Sequence, residues 1–222
     1  VVENKKTGDG TMRQYGKVME LAGGYGGGVG AYRTMGGAAV DALKDDAIQT
    51  LVTSWRKAHP KTVALWHAVE RAARAAIDKP LEEFPVGALS VGMKDKWLRI
   101  KLPSGRYLSY PDAAVNDDGR LTHSGVNQFT KKWETLETYG GKLVENIVQA
   151  VARDVFMTGM RRAEENDYPV VLRVHDELVC EVPNHNGYEA DVLAAMMSTN
   201  PSWSIGLPLS AAGFEGLRYR KE

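Results

Sequence analysis

Between positions 23 and 30 the chain reads Gly-Gly-Tyr-Gly-Gly-Gly-Val-Gly, six glycines in eight residues. Glycine gives up more backbone freedom on folding than any other residue, so the block must end any helix that enters it. Residues 12–25 carry such a helical pattern and run straight into it. The block is not a phosphate loop of the familiar kinds: it has neither GxxxxGK[ST] nor GxGxxG in register, and a helix precedes it where those motifs want a strand.

The helix ahead of the glycines is two-sided. At about 100° per residue, Arg13, Lys17 and Leu21 fall four apart on one side, with Tyr25 next in the series, while Tyr15, Val18, Met19 and Ala22 gather opposite. Two cations one turn apart, about 6 Å along the axis, suit a polyphosphate, whose charge they would neutralise and whose position they would fix. On spacing alone the same face is that of an ordinary amphipathic helix with solvated cations, and only a second signal can separate the two.

Downstream, residues 38–58 and 60–78 read as two helices, with Pro60 at the start of the second and Val63, Leu65, Trp66, Val69 and Ala73 at helical spacing. Residues 87–110 change to strand character, and Pro103-Ser104-Gly105-Arg106 predicts a hairpin turn. Residues 111–125 read as a polar loop, and 127–165 as one long helix or two broken near Gly140-Gly141, with Val144, Ile147, Val148, Val151, Val155 and Met160 as its apolar stripe. A helix is expected over 187–198 and strand character around 207–209. Helices followed by a strand–helix–strand mixture predict an α+β fold.

The second signal lies in Tyr168-Pro-Val-Val-Leu-Arg-Val-His-Asp-Glu-Leu-Val-Cys-Glu-Val-Pro183, two apolar strands interrupted by His175, Asp176 and Glu177. Adjacent acids between apolar strands are costly unless exposed at a tip or bound to a cation. Side chains next to each other on a strand point to opposite faces, so both acids meet one ion only if the backbone turns there; Asp176 is the better ligand, with Glu177 supporting. On composition alone the pair is equally the polar turn of a hairpin. His175 and His185 lie at no familiar zinc spacing, and the lone Cys180 excludes an intrachain disulfide.

Composition adds limits. The chain is 43% hydrophobic and 25% charged, the balance of a globular protein, and no apolar run approaches a membrane span. Twenty-eight basic and 28 acidic residues cancel, so any nucleic-acid-binding surface has to be local.

Taken together and in this order, the two signals resemble family A DNA polymerases, the family of bacterial DNA polymerase I. Arg13-x-x-x-Lys17-x-x-x-Leu21-x-x-x-Tyr25-Gly26 is similar to the fingers helix known as motif B, and Val174-His175-Asp176-Glu177 to palm motif C. Leu102-Pro-Ser-Gly-Arg106-Tyr-Leu-Ser-Tyr-Pro111 and Leu207-Pro-Leu209 with Gly213-Phe-Glu-Gly216 look like the linking and closing segments of phage-type members. The resemblance implies a helical fingers subdomain over 1–85 and a palm portion with antiparallel strands and packed helices over 86–222.

It also implies roles. Arg13 and Lys17 would contact the triphosphate of the incoming nucleotide, with Lys17 aiding catalysis; Leu21, where the family usually has Phe or Tyr, would lie against the sugar; Tyr25 would stack near the templating base and Gly26 would let it approach. Asp176 and Glu177 would be the catalytic and metal-binding acids, and His175 and Arg173 would lie near the DNA primer, Arg173 standing where many members carry Gln. Glu145 or Asn146 would touch substrate. The implied cofactor is Mg2+, two ions, with one aspartate ligand supplied from outside this chain, because no motif A strand precedes Arg13. The implied partners are primer-template DNA, dNTP and a complementary fragment carrying motif A and the thumb, with no membrane; the setting would be replication or repair in the bacterial cytoplasm by a phage or prophage protein, split or truncated. The alternative is a non-catalytic nucleic-acid-binding polymerase remnant.

Overall fold

The computed structural model describes residues 11–37, 40, 42–184 and 187–219. The sequence readings that touch residues 1–10, 38, 39, 41 and His185 lie outside them. The fold is α+β, with antiparallel sheets throughout. Two compact units are distinguished, one ending at Val148 and the other starting at Gln149.

The first unit opens with helices α1 (Thr11–Gly23), α2 (Val29–Gly36), α3 (Asp45–Ala58) and α4 (Pro60–Asp78). Helix α1 lies where the amphipathic pattern places it. Within the expected 38–58 helix Lys44 is extended and α3 starts at Asp45, with the acids Asp45 and Asp46 in the first turn, where they favour the positive end of the helix dipole. Pro60 starts α4, where a missing N–H costs nothing. Val18, Ala22, Tyr32, Val40, Ile48 and Val52 form one buried cluster that welds α1, α2 and α3 together. The Arg33 guanidinium fastens the connection after α2, donating to the carbonyls of Val40 and Leu43 and to the Asp45 carboxylate.

A four-stranded antiparallel sheet follows, β1 (Glu83–Val86), β2 (Leu89–Lys94), β3 (Trp97–Lys101) and β4 (Tyr107–Tyr110), in sequence order. The predicted turn at Pro103–Arg106 joins β3 to β4, closed by the Arg106 carbonyl accepting from Leu102 N–H and the Leu102 carbonyl accepting from Gly105 N–H. The alternation is clean on β3: Leu98 and Ile100 are buried, Trp97 and Lys101 exposed. The buried face packs on α4. Each fully buried aliphatic side chain such as Val91 or Ile100 contributes about 1.5–3 kcal/mol.

Two expectations fail next. Residues 111–125 are not only a polar loop: β5 (Ala114–Val115) and β6 (Leu121–Val126) pair there, and β7 (Trp133–Thr138) completes a three-stranded sheet inside the stretch read as helix. The error came from polarity. Thr122 and Thr138 are buried β-branched residues that count as polar in a pattern but fit a pleated surface. Nor do Gly140 and Gly141 break a helix; they start α5 (Gly140–Glu164). A Cβ on Gly140 would stand 2.1 Å from the Trp66 carbonyl oxygen, and one on Gly141 2.1 Å from that of Tyr25. Glycine is there because other backbone passes too close for any side chain.

The second unit holds the rest of α5, the hairpin β8 (Val170–Val174) and β9 (Glu177–Cys180), α6 (Ala190–Ser198) and a short 3-10 turn at Ser202–Ser204. Arg162 reaches from α5 to the Met196 and Thr199 carbonyls at the end of α6, at 2.6 and 3.0 Å. Buried Tyr168 exchanges hydrogen bonds with the Glu189 backbone and meets Tyr188 edge-on. The strand expected near 207–209 is absent; Leu207 N–H instead turns back to the Ser204 carbonyl, and Asn200 donates to the Leu207 carbonyl.

The start of α5 is held by a carboxylate. Glu70 accepts from Gly140 N–H at 2.9 Å and from Arg74 at 2.8 Å. Burial pushes this carboxyl up, but the bonds from Arg74 and Gly140 together with the charges of Arg74 and His67 hold it below the ordinary value. A group depressed in the folded state adds stability above its unfolded pKa and loses it as pH falls through the folded value. Glu70→Gln should therefore cost about 1 kcal/mol in urea unfolding at pH 7, and that difference should shrink toward zero as the pH is lowered below the usual carboxylate range.

Candidate functional site

Arg13, Lys17 and Leu21 are all exposed along α1, whereas Val18 and Ala22 are buried and Tyr15 and Met19 pack against the same cluster. The two faces read from the sequence are thus both present. Leu21 is 46% exposed, an aliphatic side chain in line with two cations.

The glycine block does more than stop this helix. Gly27 N–H bonds the Ala22 carbonyl at 2.8 Å and Gly26 N–H the Gly23 carbonyl at 3.1 Å, while Gly26 sits at φ +79°. This is the Schellman arrangement, a left-handed residue just past the helix that lets the last carbonyls find donors. Tyr25 is the capping residue of that motif and is half-buried. The block does not end helical structure for good, since α2 begins within it at Val29.

Three side chains that pattern-reading did not single out for this role fix the cap. Trp66 Nε1 donates to the Gly24 carbonyl at 3.0 Å, Arg56 donates to the carbonyls of Gly26 and Gly27 at 3.2 and 3.4 Å, and Trp55 Nε1 reaches the Glu20 carboxylate at 3.3 Å. Trp55 and Trp66 stack with their planes 7° apart, and His59 also stacks on Trp55. The only sequence trace of this support was the helical spacing of Trp66.

The hairpin read from the sequence forms, but its tip is tighter than expected: Glu177 is the first residue of β9 and not part of the turn. Val174 pairs with Glu177, leaving His175 and Asp176 as a two-residue turn. His175 is exposed at φ +54°, a conformation also taken by the turn residues Asp95, Asp112, Lys131 and Asp167, so it marks a tight turn and not a special strain. Asp176 is exposed, and among the described residues no hydrogen bond or ion pair engages its carboxylate. Glu177 is half-buried and accepts from the Tyr219 hydroxyl at 2.9 Å. That bond raises the Tyr219 pKa, with burial and the charge of Glu177 adding to it. Arg173 is exposed on β8, with one guanidinium nitrogen 3.4 Å from Met157 Sδ.

Asp176 is chemically suited to supply a carboxylate to a magnesium ion, whereas Glu177 already accepts from Tyr219. That ion takes one or two carboxylates and completes itself with water and substrate phosphate oxygens. Asp176 is the freer of the two. Among the described residues no cluster of three or more His, Cys, Asp or Glu could hold a metal. Cys180 ends β9, half-buried, its thiol pushed up by burial and by the nearby charge of Glu164. Asn146 spends its amide on the Tyr110 hydroxyl at 3.0 Å.

The cap itself is testable. A Cβ at Gly26 would meet only ordinary contacts, the nearest 3.5 Å away on Tyr139, so a substitution there is penalised by backbone conformation alone. Gly26→Ala should lower stability by about 1 kcal/mol. Gly30→Ala, in α2 with nothing within 4 Å of the new methyl, should leave stability unchanged or raise it; thermal melts of the two variants give the comparison.

No protein-family model matches the chain, and no solved structure does. The chain is similar to a DNA polymerase of Bacillus phage SP02, 41% identical over 216 residues. The alignment takes in 95% of this chain and 33% of that protein, so the chain spans about a third of the length of the relative and is similar to a portion of a phage DNA polymerase.

Proposed function

We propose that this chain is the fingers-and-palm portion of a template-directed DNA polymerase of family A, with fingers over residues 1–85 and palm over 86–222, and that an upstream portion carrying motif A and the thumb completes its site. The observation that carries this reading is the Asp176 turn: an exposed carboxylate without a partner among the described residues, fixed by strand pairing, in a chain whose near-full length aligns with a phage polymerase. Two further features support it. The cations Arg13 and Lys17 stand exposed on one face of α1, whose far end is anchored by Trp66 and Arg56. Val171 and Leu172 leave the β8 hairpin 56% and 45% exposed, apolar surface that a further palm segment would cover.

The reaction in this reading is attack of a primer 3′-hydroxyl on the α-phosphorus of a dNTP, with pyrophosphate leaving. Arg13 and Lys17 would bind the triphosphate and neutralise charge as it passes to the leaving group. Leu21 would pack on the sugar, and Tyr25, at the cap beside Gly26, would lie against the templating base. Asp176, with Glu177 behind it, would hold magnesium, which when bound activates the attacking oxygen and stabilises the leaving one. Tyr219 would orient Glu177 through its hydrogen bond. His175 and Arg173 would lie along the primer.

The test is primer extension with magnesium and four deoxynucleotides. The chain would be run alone and then combined with an upstream fragment of a related polymerase carrying the motif A strand and thumb, after association is confirmed by size-exclusion chromatography. Extension is expected only in the mixture and should fall at least about a hundredfold in Asp176→Ala. No extension by an associated mixture would sink the catalytic reading and leave a nucleic-acid-binding remnant.

A further inference from the structure

We propose that the outer face of the four-stranded sheet β1–β4 binds single-stranded DNA. This goes beyond the reaction above: it uses neither the α1 cations nor the Asp176 turn, and it stands on the sheet's own side chains.

The sheet has two unlike faces. One carries Val91, Leu98 and Ile100, is buried, and packs on α4. The register puts the alternate residues on the other: Lys94 opposite Trp97, Arg99 opposite Ser109, and Lys101 opposite Tyr107. These are two aromatic rings and three cations on one surface. Trp97 is 46% and Tyr107 37% exposed, with Lys94 and Lys101 exposed beside them. The Arg99 guanidinium lies 3.9 Å from the centre of the Tyr107 ring. A cation over an aromatic face is attracted by about 0.5–1 kcal/mol at an exposed site, which biases Arg99 and Tyr107 toward this arrangement.

The chemistry of this face selects its partner. The whole chain has no net charge, yet here cations collect. The nearby acids lie at its borders: Asp95 is in the β2–β3 turn, and Glu83 on β1 is taken up by a 2.6 Å bond from Ser90 Oγ. Cations in register with exposed rings match the phosphates and bases of an unpaired strand, because rings accept the face of any base while lysine and arginine follow the backbone. A duplex has its base faces already stacked and offers the rings nothing. Trp97 and Tyr107 lie on neighbouring strands and about 13 Å apart in the strand direction, with Arg99 between them, so the two rings would engage separate nucleotides. A shallow open dent lined by Lys94, Asp95, Trp97, Arg99 and Ser109 gives a base edge room beside Trp97.

Fluorescence anisotropy of a labelled oligo(dT) of about twenty nucleotides, with the full chain and without divalent ion or dNTP, tests this at two salt concentrations. Trp97→Ala/Tyr107→Ala is expected to weaken binding about tenfold or more. Lys94→Gln/Lys101→Gln should flatten the slope of log affinity against log salt by about 1.4, two single-strand phosphate contacts. Blunt duplex should compete at least tenfold less well than oligo(dT). All four side chains are surface groups, and circular dichroism melts verify that the variants fold. The readout is strand binding without divalent ion or dNTP and needs no primer extension, so loss of the catalytic reading and loss of this one are told apart. Undetectable oligo(dT) binding, unchanged affinity and salt slope in both double variants, or equal competition by duplex would overturn the proposal.

Discussion

Trp66 is the residue on which the first unit turns. Its indole N–H holds the Gly24 carbonyl, its ring lies flat against Trp55, and its own carbonyl oxygen packs against the first glycine of α5. A side chain of this size gains most of its stabilisation from area removed from water, but its polar edge must still find a partner once buried. Here that partner is the carbonyl of a helix end, a group that itself lacks an intrahelical donor. One bond thus satisfies two obligations. It also carries the position of a core helix, α4, directly into the turn that presents Tyr25.

The α+β class was legible in the order of helices and strands, α1 and α4 in a single helical period, the β3–β4 turn in Pro-Ser-Gly-Arg, and the β8–β9 hairpin in two apolar runs around charged residues, although its strands show no alternation of burial. The three-stranded sheet was not. Its strands Leu-Thr-His-Ser-Gly-Val and Trp-Glu-Thr-Leu-Glu-Thr carry few aliphatic residues, and the buried positions are Leu121, Thr122 and Thr138, with Leu136 only half-buried. The glycine pair at 140–141 misled for a different reason. Glycine breaks helices when its freedom is the issue, but at α5 the issue is the closeness of two carbonyl oxygens from distant segments, which no local pattern records.

Of the candidate site, spacing alone yielded the cationic face and the acid tip. What it could not yield is the support behind them. Arg56, Trp55 and Tyr219 act over separations of 30, 35 and 42 residues, and nothing in their neighbourhoods marks them. The outer sheet face was missed although its residues all lie between positions 94 and 109. Alternating Trp, Arg and Lys reads as ordinary solvent exposure until the register places Tyr107 and Lys94 beside them.

The turn between β8 and β9 has one more property. With only His175 and Asp176 between the paired residues Val174 and Glu177, the location of the carboxylate is inherited from strand registry and not from contacts of its own. A strand ladder repeats every two residues, so a one-residue slip of β8 against β9 would exchange the faces of the hairpin and carry the acid off its tip. Registry in this segment is therefore under tighter constraint than composition: many side chains could flank the turn, but only one pairing of the strands keeps Asp176 there.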